Sequence, residues 1–336
     1  MTDRAVLADR FLAGTDWAGA QRGLLAGDAS NRRYERLRMG DQTAVLMDAP
    51  PEKGEDVRPF LRIARFLGGC GLSAPEILAE DAEHGFLLLE DLGDDLFARV
   101  VLRDPALEHP MYQAATDVLI HLHQSNPPTL EPYSPAYMTE MAGLAWEWYR
   151  RGILGDDAGK SQFEAAFLPI LQTHAPDQSV LIQRDYHAEN LLWLPDRTGV
   201  QRVGLLDFQD ARTGHPAYDL VSLLKDARRD VPAAIENAMI AHYVTATGTD
   251  AAAFTAAYQV LGVQRNLRIL GVFARLSLHF NKPHYVDLIP RVWDHTMRGL
   301  DHPALAPVAD MVRDLPAPTD AALKQLKEQA GCVPTL

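Results

Sequence analysis

Three polar side chains in the middle of the chain have the types and spacing that phosphoryl transfer needs. Asp185 and Asn190 belong to the segment Gln183-Arg-Asp-Tyr-His-Ala-Glu-Asn190, and Asp207 lies in Leu205-Leu-Asp-Phe208. In this chemistry one carboxylate orients and deprotonates the attacking hydroxyl, while a second carboxylate and a neutral amide hold Mg²⁺ on the nucleotide phosphates. Asn190 and Asp207 offer the hard oxygen ligands that Mg²⁺ prefers. The alternative is that these acids only cap turns beside buried strands. That role does not explain why the acids and the amide occur together at these positions.

A β-hairpin is predicted to bring these side chains together. Residues 191–194 and 203–206 are apolar, and the turn cluster Pro195-Asp-Arg-Thr-Gly199 separates them. Asn190 directly precedes the first of these strands, and Asp207 directly follows the second. A further polar segment follows, Gly214-His-Pro-Ala-Tyr-Asp219-Leu. We therefore expect the hairpin to position both candidate magnesium ligands.

The first quarter of the chain reads as strands packed on one helix. Residues 42–48 and 85–92 have the composition of strands. Between them Val57, Phe60, Leu61, Ala64 and Leu67 recur on one face of a helix, with Asp56 as its predicted cap and Pro59 in its first turn.

After Gly93 the pattern is mostly helical. Apolar stripes predict helices around residues 111–122, 163–171, 232–242, 251–280 and 285–298, and the proline-containing tail is predicted to be irregular. The expected fold class is α+β with two lobes. A small β-rich N-lobe with one helix spans residues 1–93, and a large helical C-lobe spans residues 94–336.

Composition excludes several classes of protein. The formal net charge is −13 over 336 residues, which disfavours binding to nucleic acid or to an anionic membrane. Two cysteines, Cys70 and Cys332, exclude a disulfide framework or a cysteine zinc site. The first residues lack the apolar core of a signal peptide, and no apolar run is long enough to cross a bilayer. We expect a cytoplasmic monomer.

The segment Arg184-Asp-Tyr-His-Ala-Glu-Asn-Leu-Leu-Trp-Leu194, with Leu206-Asp-Phe-Gln-Asp210 and His215-Pro-Ala-Tyr-Asp-Leu-Val221, resembles a known family. It looks like the aminoglycoside-phosphotransferase and choline-kinase branch of the protein-kinase-like superfamily. It is most similar to the bacterial kinases that phosphorylate the anomeric hydroxyl of N-acetylmuramate and N-acetylglucosamine in cell-wall recycling. Asp28-Ala-Ser-Asn-Arg-Arg-Tyr34, Met47-Asp-Ala-Pro-Pro51 and Val263-Gln-Arg-Asn-Leu-Arg268 also fit, so that the resemblance spans roughly residues 20–316.

This resemblance implies a bilobal kinase that uses ATP and Mg²⁺. Asp185 would be the catalytic base, and Asn190 and Asp207 the magnesium ligands. Asp219 would be structural and accept backbone N–H bonds from the catalytic loop. Glu90 to Leu92 would be the hinge between the lobes, where backbone groups pair with adenine.

The sequence departs from the superfamily pattern in two places. Gln183 stands where the catalytic loop usually begins with histidine, which is generally a scaffold residue. Met47 stands where a lysine usually grips the nucleotide phosphates. We expect Arg32 or Arg33 to meet this charge, with Lys53 or the metal as alternatives. Ser30 and the small residues before it would cover the phosphates, although the segment also fits a plain surface turn.

Substrate contacts are predicted on the helical lobe. Trp146 and Glu147 lie in an aromatic cluster that suits either sugar stacking or core packing, and core packing is the commoner role for such a cluster. Asp210 and Arg265 are further candidates. His121 and His123 have no other metal-ligating residues near them in the sequence, so we interpret them as structural residues. We interpret His187 as a residue that orients the catalytic loop.

The leading hypothesis is an ATP-dependent kinase for the anomeric hydroxyl of these amino sugars, with no nucleic-acid or membrane partner. The first alternative is another kinase of the superfamily that acts on an aminoglycoside, choline or homoserine. A muramate substrate carries a lactyl carboxylate and predicts Arg or Lys near the site, whereas a cationic aminoglycoside predicts acids. The second alternative is a nucleotide-binding pseudokinase, which the missing lysine suggests and the complete set of acids and amide disfavours.

Overall fold

A computed structural model describes residues 4–25 and 31–333 of the chain. The density of contacts divides the chain into two compact units. The first unit comprises residues 1–122 and 188–211, and the second comprises residues 123–187 and 212–336. A mixed α/β region therefore precedes a mostly helical one, as the α+β class predicts, whereas lobes that divide at residue 93 remain a prediction.

The first unit contains a five-stranded antiparallel sheet in the order β1-β2-β3-β5-β4. Its strands are β1 (Gln21–Leu24), β2 (Arg33–Met39), β3 (Gln42–Asp48), β4 (Ile77–Asp81) and β5 (Phe86–Glu90). Strand β3 pairs with β5 so that Met47 lies opposite Leu87 and Ala44 opposite Glu90. The strands predicted at residues 42–48 and 85–92 are therefore confirmed, the second in a shorter form.

Alternation along the strands builds a core on one face of the sheet. Every second residue of β3 and β5, including Leu46 and Leu88, packs with Leu37 of β2 and with Leu12. Leu12 belongs to α1 (Arg4–Ala13), a helix that the sequence pattern did not predict.

Helix α2 (Arg58–Gly69) buries the predicted apolar face. The structure corrects its start: Val57, not Asp56, is the N-cap residue, and the Asp56 carboxylate accepts an N–H bond from Arg58 at 2.9 Å. The Phe60 ring lies 4.9 Å from the ring of Phe208, so the helix packs directly beside the segment that carries Asp207.

The predicted hairpin is present in the first unit. It consists of β7 (Leu191–Trp193) and β8 (Val203–Leu205), with Leu191 opposite Leu205. Helices α3 (Phe97–Arg103) and α4 (Glu108–Leu122) complete this unit. The backbone N–H of Trp193 donates to Asp95 at 2.8 Å, which ties β7 to the segment before α3.

The second unit is built around the long helix α10 (Ala251–Leu278), which is buried along most of its length. Around it the chain forms α5 (Pro135–Leu144), a π-helical turn (Ala145–Arg150), α6 (Arg151–Leu154), α7 (Lys160–His174), α8 (Ala217–Leu224), α9 (Ala233–Thr247) and α11 (Ile289–Gly299). The two short strands β6 (Val180–Ile182) and β9 (Arg212–Gly214) pair with each other. The helices predicted at 163–171, 232–242 and 251–280 are confirmed; that at 285–298 is a 3₁₀ turn (Pro283–Leu288) followed by α11.

A glycine lets α10 approach α5 closely. A Cβ atom at Gly271 would lie 2.3 Å from the backbone of Leu144, which is far inside van der Waals contact. Any larger residue at this position would push the two helices apart.

The tail differs from the prediction of irregular structure. It contains α12 (Ala306–Arg313) and α13 (Asp320–Glu328). Pro307 lies in the first turn of α12, where a missing N–H costs nothing, and the Thr319 hydroxyl caps α13.

Trp146 lies in the core of the second unit. Its side chain is 2% exposed, and its ring stacks on Phe163 at 4.3 Å between centroids. The structure thus favours the core-packing alternative, since neither face of this ring is open to a sugar. No helix among the described residues has the length and apolarity needed to cross a membrane.

We predict that the protein loses stability as the pH falls below about 6.5. Burial lowers the pKa of His123 to about 3 and those of His187 and His295 to about 4. Unfolding would let each of these histidines take up a proton, so the free energy of unfolding falls by up to about 1.4 kcal/mol per pH unit for each. Asp219 acts in the opposite direction, because burial raises its pKa to about 7.

The net result is that the free energy of unfolding decreases between pH 6.5 and pH 4. Urea unfolding at several pH values measures this decrease. A His123→Gln variant should show a shallower dependence of the free energy of unfolding on pH. A free energy of unfolding that is constant from pH 6.5 to pH 5 would contradict this account.

Candidate active site

The start of the candidate catalytic loop is held by a buried carboxylate. Asp219, in α8, accepts the backbone N–H groups of Gln183 at 2.6 Å and Arg184 at 2.9 Å, one on each oxygen. The Ser222 hydroxyl, one turn further on, donates to the carbonyl oxygen of Arg184 at 3.2 Å. This is the arrangement that the sequence resemblance implies for Asp219, and it fixes the backbone just before Asp185.

Asp185 is surrounded by positive charge in the second unit. Burial alone raises the pKa of this carboxyl, but the nearby guanidinium groups of Arg268 and Arg265 outweigh burial and hold the pKa below its usual range. Asp185 is therefore ionised at neutral pH and able to accept a proton from a hydroxyl.

The hairpin brings Asn190 and Asp207 together in the first unit. The Asn190 amide nitrogen lies 3.3 Å from one oxygen of Asp207, and the Gln209 amide donates to the other oxygen at 2.6 Å. The backbone N–H of Leu206 donates to the Asn190 carbonyl at 3.0 Å. This bond extends the strand pairing to Asn190 on one strand and to Leu206, the residue before Asp207, on the other.

Two residues of this region have left-handed backbone conformations. Arg184 has φ of 75° and Asp207 has φ of 58°, and with Asn281 they are the described non-glycine residues with positive φ. Such conformations cost free energy and persist where the surroundings impose them, often at functional sites.

The donor set of Asn190 and Asp207 fits Mg²⁺. Mg²⁺ usually takes one or two carboxylates and completes its shell with phosphate oxygens and water. Asp207 supplies a carboxylate and Asn190 a side-chain amide, whose nitrogen lies 3.3 Å from that carboxylate, so the pair offers the ligand types of this mode. Among residues 4–25 and 31–333 no three His, Cys, Asp or Glu side chains gather as a cage for a metal, which a phosphate-bridging ion does not need.

The segment after β5 is fixed by an arginine that the sequence analysis missed. Arg36, in β2, forms ion pairs at 2.7 Å with Asp91 and with Asp94. The pKa of Arg36 is raised above its ordinary value, chiefly by hydrogen bonding to Asp94. No local pattern marks this contact, because 55 residues separate Arg36 from Asp91.

Glu90 and Leu92, the predicted hinge residues, contact the hairpin. The Glu90 carboxylate forms an ion pair with Arg197, whose guanidinium also donates to the Ser73 hydroxyl at 2.7 Å. Leu92 lies against Gly204, where an added Cβ would be 3.2 Å from the leucine. Their role toward adenine remains a prediction.

The predicted phosphate-binding residues differ in their surroundings. Met47 is fully buried in the sheet. Arg32 is engaged by Glu55 at 2.9 Å, whereas Arg33 is exposed and forms no ion pair with a described residue. Ser30 lies outside the described residues. Of the two arginines, Arg33 is therefore the one available to a phosphate group.

The four predicted substrate residues are not equivalent. Arg265 lies close to Asp185 and is buried, Trp146 is a core residue, and Asp210 is exposed. Glu147 forms an ion pair at 2.8 Å with Lys160. Arg265 is one of the charges that act on Asp185.

The three histidines that the sequence singled out have protein partners. A ring nitrogen of His121 lies 2.8 Å from the Cys70 carbonyl, and one of His123 lies 2.7 Å from the Tyr243 hydroxyl. His187 contacts the Arg228 guanidinium at 3.2 Å. These contacts agree with structural roles.

A family model described as "Phosphotransferase enzyme family" matches residues 23–255, well over half of the chain. The chain belongs to this phosphotransferase family. The match includes Asp185, Asn190, Asp207 and Asp219.

Individual proteins of known sequence or structure are also similar to this chain. This phosphotransferase is 38% identical to the N-acetylmuramate/N-acetylglucosamine kinase of Caulobacter vibrioides, over 91% of this chain and 94% of the relative. Its structure is similar to choline kinase LicA from Streptococcus pneumoniae, with a TM-score of 0.61, 13% identity and coverage of 88% and 99%. It is also similar to spectinomycin phosphotransferase in complex with ADP and spectinomycin, with a TM-score of 0.56, 14% identity and coverage of 96% and 98%. The protein-kinase-like fold class is thereby confirmed.

We predict that replacing Asp219 of the phosphotransferase by Asn weakens both the fold and turnover. An amide offers one acceptor where two backbone N–H groups need one each, so one buried N–H loses its partner. The expected cost is about 1–3 kcal/mol in the free energy of unfolding, together with a lower kcat. Denaturant unfolding and steady-state kinetics measure the two effects. The same change at the fully exposed Asp310 is the control, and equal stability of the two variants would contradict the structural role of Asp219.

Proposed function

We propose that this phosphotransferase transfers the γ-phosphoryl group of ATP to the anomeric hydroxyl of N-acetylmuramate and N-acetylglucosamine. The observation that carries the proposal is the 38% identity, over nearly the whole of both chains, to a kinase named for these two sugars. The structural similarity to a phosphotransferase with bound ADP supports a nucleotide donor. The ionised Asp185 supplies a base suited to a hydroxyl acceptor.

The proposed step forms one bond and breaks one bond. The anomeric oxygen attacks the γ-phosphorus of ATP, the bond from that phosphorus to the β,γ-bridging oxygen breaks, and ADP leaves. The proton of the anomeric hydroxyl passes to the carboxylate of Asp185. This hydroxyl is more acidic than an ordinary sugar alcohol, so a carboxylate is an adequate base.

Asn190 and Asp207 would hold Mg²⁺. When bound, the ion neutralises charge on the nucleotide phosphates. The protein's own contribution is to keep the two side chains adjacent at the ends of β7 and β8. The Gln209 amide, which donates to Asp207, restricts the rotation of that carboxylate.

The charges around Asp185 disfavour a cationic acceptor. Arg268, Arg265 and Arg184 all act on this carboxyl, and a positively charged aminoglycoside or choline would be repelled by them. A neutral or anionic sugar meets no such repulsion. At 13–14% identity, the similarity to choline kinase and spectinomycin phosphotransferase gives no support for a choline or aminoglycoside acceptor.

We predict Mg²⁺-dependent release of ADP from ATP in the presence of N-acetylmuramate or N-acetylglucosamine. A coupled assay with a panel of glucose, kanamycin, choline and the two N-acetyl sugars measures it. Release with kanamycin or choline but not with the N-acetyl sugars would overturn the proposal. Binding of ATP without release of ADP on the whole panel would instead favour a pseudokinase.

We predict that an Asp185→Asn variant keeps nucleotide binding and loses turnover. Removal of a general base lowers kcat by about 100- to 10,000-fold. Calorimetric titration with ADP and steady-state kinetics separate the two quantities. The matched control is Asp310→Asn, which makes the same change on the surface. Turnover of Asp185→Asn near that of the unmodified protein would exclude Asp185 as the base.

A further inference from the structure

A pair of arginines on α10 bears on which of the two amino sugars the enzyme prefers. Arg265 and Arg268 lie three residues apart on α10, on neighbouring positions of one helix face. Both positive charges act on Asp185. The helix thus presents two guanidinium groups beside the candidate catalytic base.

Arg265 is a buried cation whose hydrogen bonds are incomplete. Its side chain is 2% exposed, and its Nε and Nη1 atoms have no hydrogen-bond partner among the described residues. The carboxylates of Asp185 and Asp226 act on its charge, but two buried N–H-bearing nitrogens without acceptors are costly and point to a ligand that supplies acceptors.

Arg268, one turn further along α10, is half-buried, and it forms no ion pair with any acid among the described residues. The phenol groups of Tyr133, Tyr137 and Tyr218 act on the pKa of Arg268, as does the carboxylate of Asp185. Tyr133 contacts the other two rings, at 5.4 Å from Tyr137 and 5.0 Å from Tyr218.

Two further arginine side chains lie over rings of the aromatic cluster that Tyr133, Tyr137 and Tyr218 form. The Arg184 guanidinium lies 5.5 Å from the centre of the Tyr133 ring, and that of Arg212 lies 4.5 Å from the centre of the Tyr137 ring. The chain has a net charge of −13, yet the three arginines Arg184, Arg265 and Arg268 all act on Asp185. A planar guanidinium fork matches the geometry of a carboxylate ligand.

We propose that Arg265 and Arg268 bind the lactyl carboxylate of N-acetylmuramate and so determine the preference for the anionic over the neutral amino sugar. The inference rests on the proposed function and deepens it. N-acetylglucosamine lacks this carboxylate, so the arginine pair contributes less to its binding. The two sugars thereby form a matched pair of ligands that differ at the proposed subsite.

The test is the ratio of kcat/KM for N-acetylmuramate to that for N-acetylglucosamine. Arg268→Met should lower this ratio by about 10- to 100-fold, because one charge-assisted hydrogen bond contributes about 1.5–3 kcal/mol. Arg268→Lys should lower the ratio less, since it keeps the charge and loses the fork. Arg265→Gln should also lower the ratio. Arg275→Met, about two turns beyond Arg268 on the same helix and outside the group of arginines that acts on Asp185, is the control and should leave the ratio unchanged.

Calorimetric titration of each sugar into the unmodified protein and Arg268→Met, without ATP, checks binding apart from turnover. Weaker binding of N-acetylmuramate with a smaller change for N-acetylglucosamine supports the proposal. An equal loss with both sugars would overturn it and assign the arginines to Asp185 or to the transferred phosphoryl group. If the unmodified protein phosphorylates neither sugar, the proposed function itself fails, which is a different result from an unchanged ratio.

Discussion

The geometry of the candidate catalytic loop depends on one buried carboxylate. Asp219 accepts two consecutive backbone N–H groups, and with them it fixes the chain at Gln183 and Arg184 just before Asp185. The left-handed conformation of Arg184 is held in part by this contact and in part by Ser222. Burial of this carboxylate costs desolvation and raises its pKa, and the two hydrogen bonds offset only part of that cost. Helix α8 thus positions the start of the loop.

Local charge matters more here than net charge. The whole chain is acidic, yet the groups that act on Asp185 are chiefly arginines, and they keep this carboxyl ionised in spite of its burial. The same arginines would repel a cationic acceptor and attract an anionic one. The net charge of −13 is therefore no guide to the charge of the acceptor that suits this site.

Local patterns in the sequence predicted the local parts of the structure. The strands of the hairpin, the strand at residues 42–48 and the long helix at 251–280 follow from apolar periodicity and turn residues. The tail was mispredicted because Pro303, Pro307, Pro316 and Pro318 suggested irregular structure, whereas Pro303 and Pro307 lie in the first turns of helical segments. The contact of Arg36 with Asp91 and the position of Arg268 near Asp185 could not be predicted, because each joins distant parts of the chain and leaves no spacing to detect.

The most direct test of the central claim is the position of the phosphoryl group in the product. A ³¹P–¹H correlation spectrum of the product formed from N-acetylmuramate, ATP and Mg²⁺ reports which proton is coupled to phosphorus. We predict coupling to the anomeric proton, and a product that is stable in alkali and labile in acid. Coupling to the protons of any other sugar carbon would contradict the account, since phosphorylation would then occur at an ordinary alcohol.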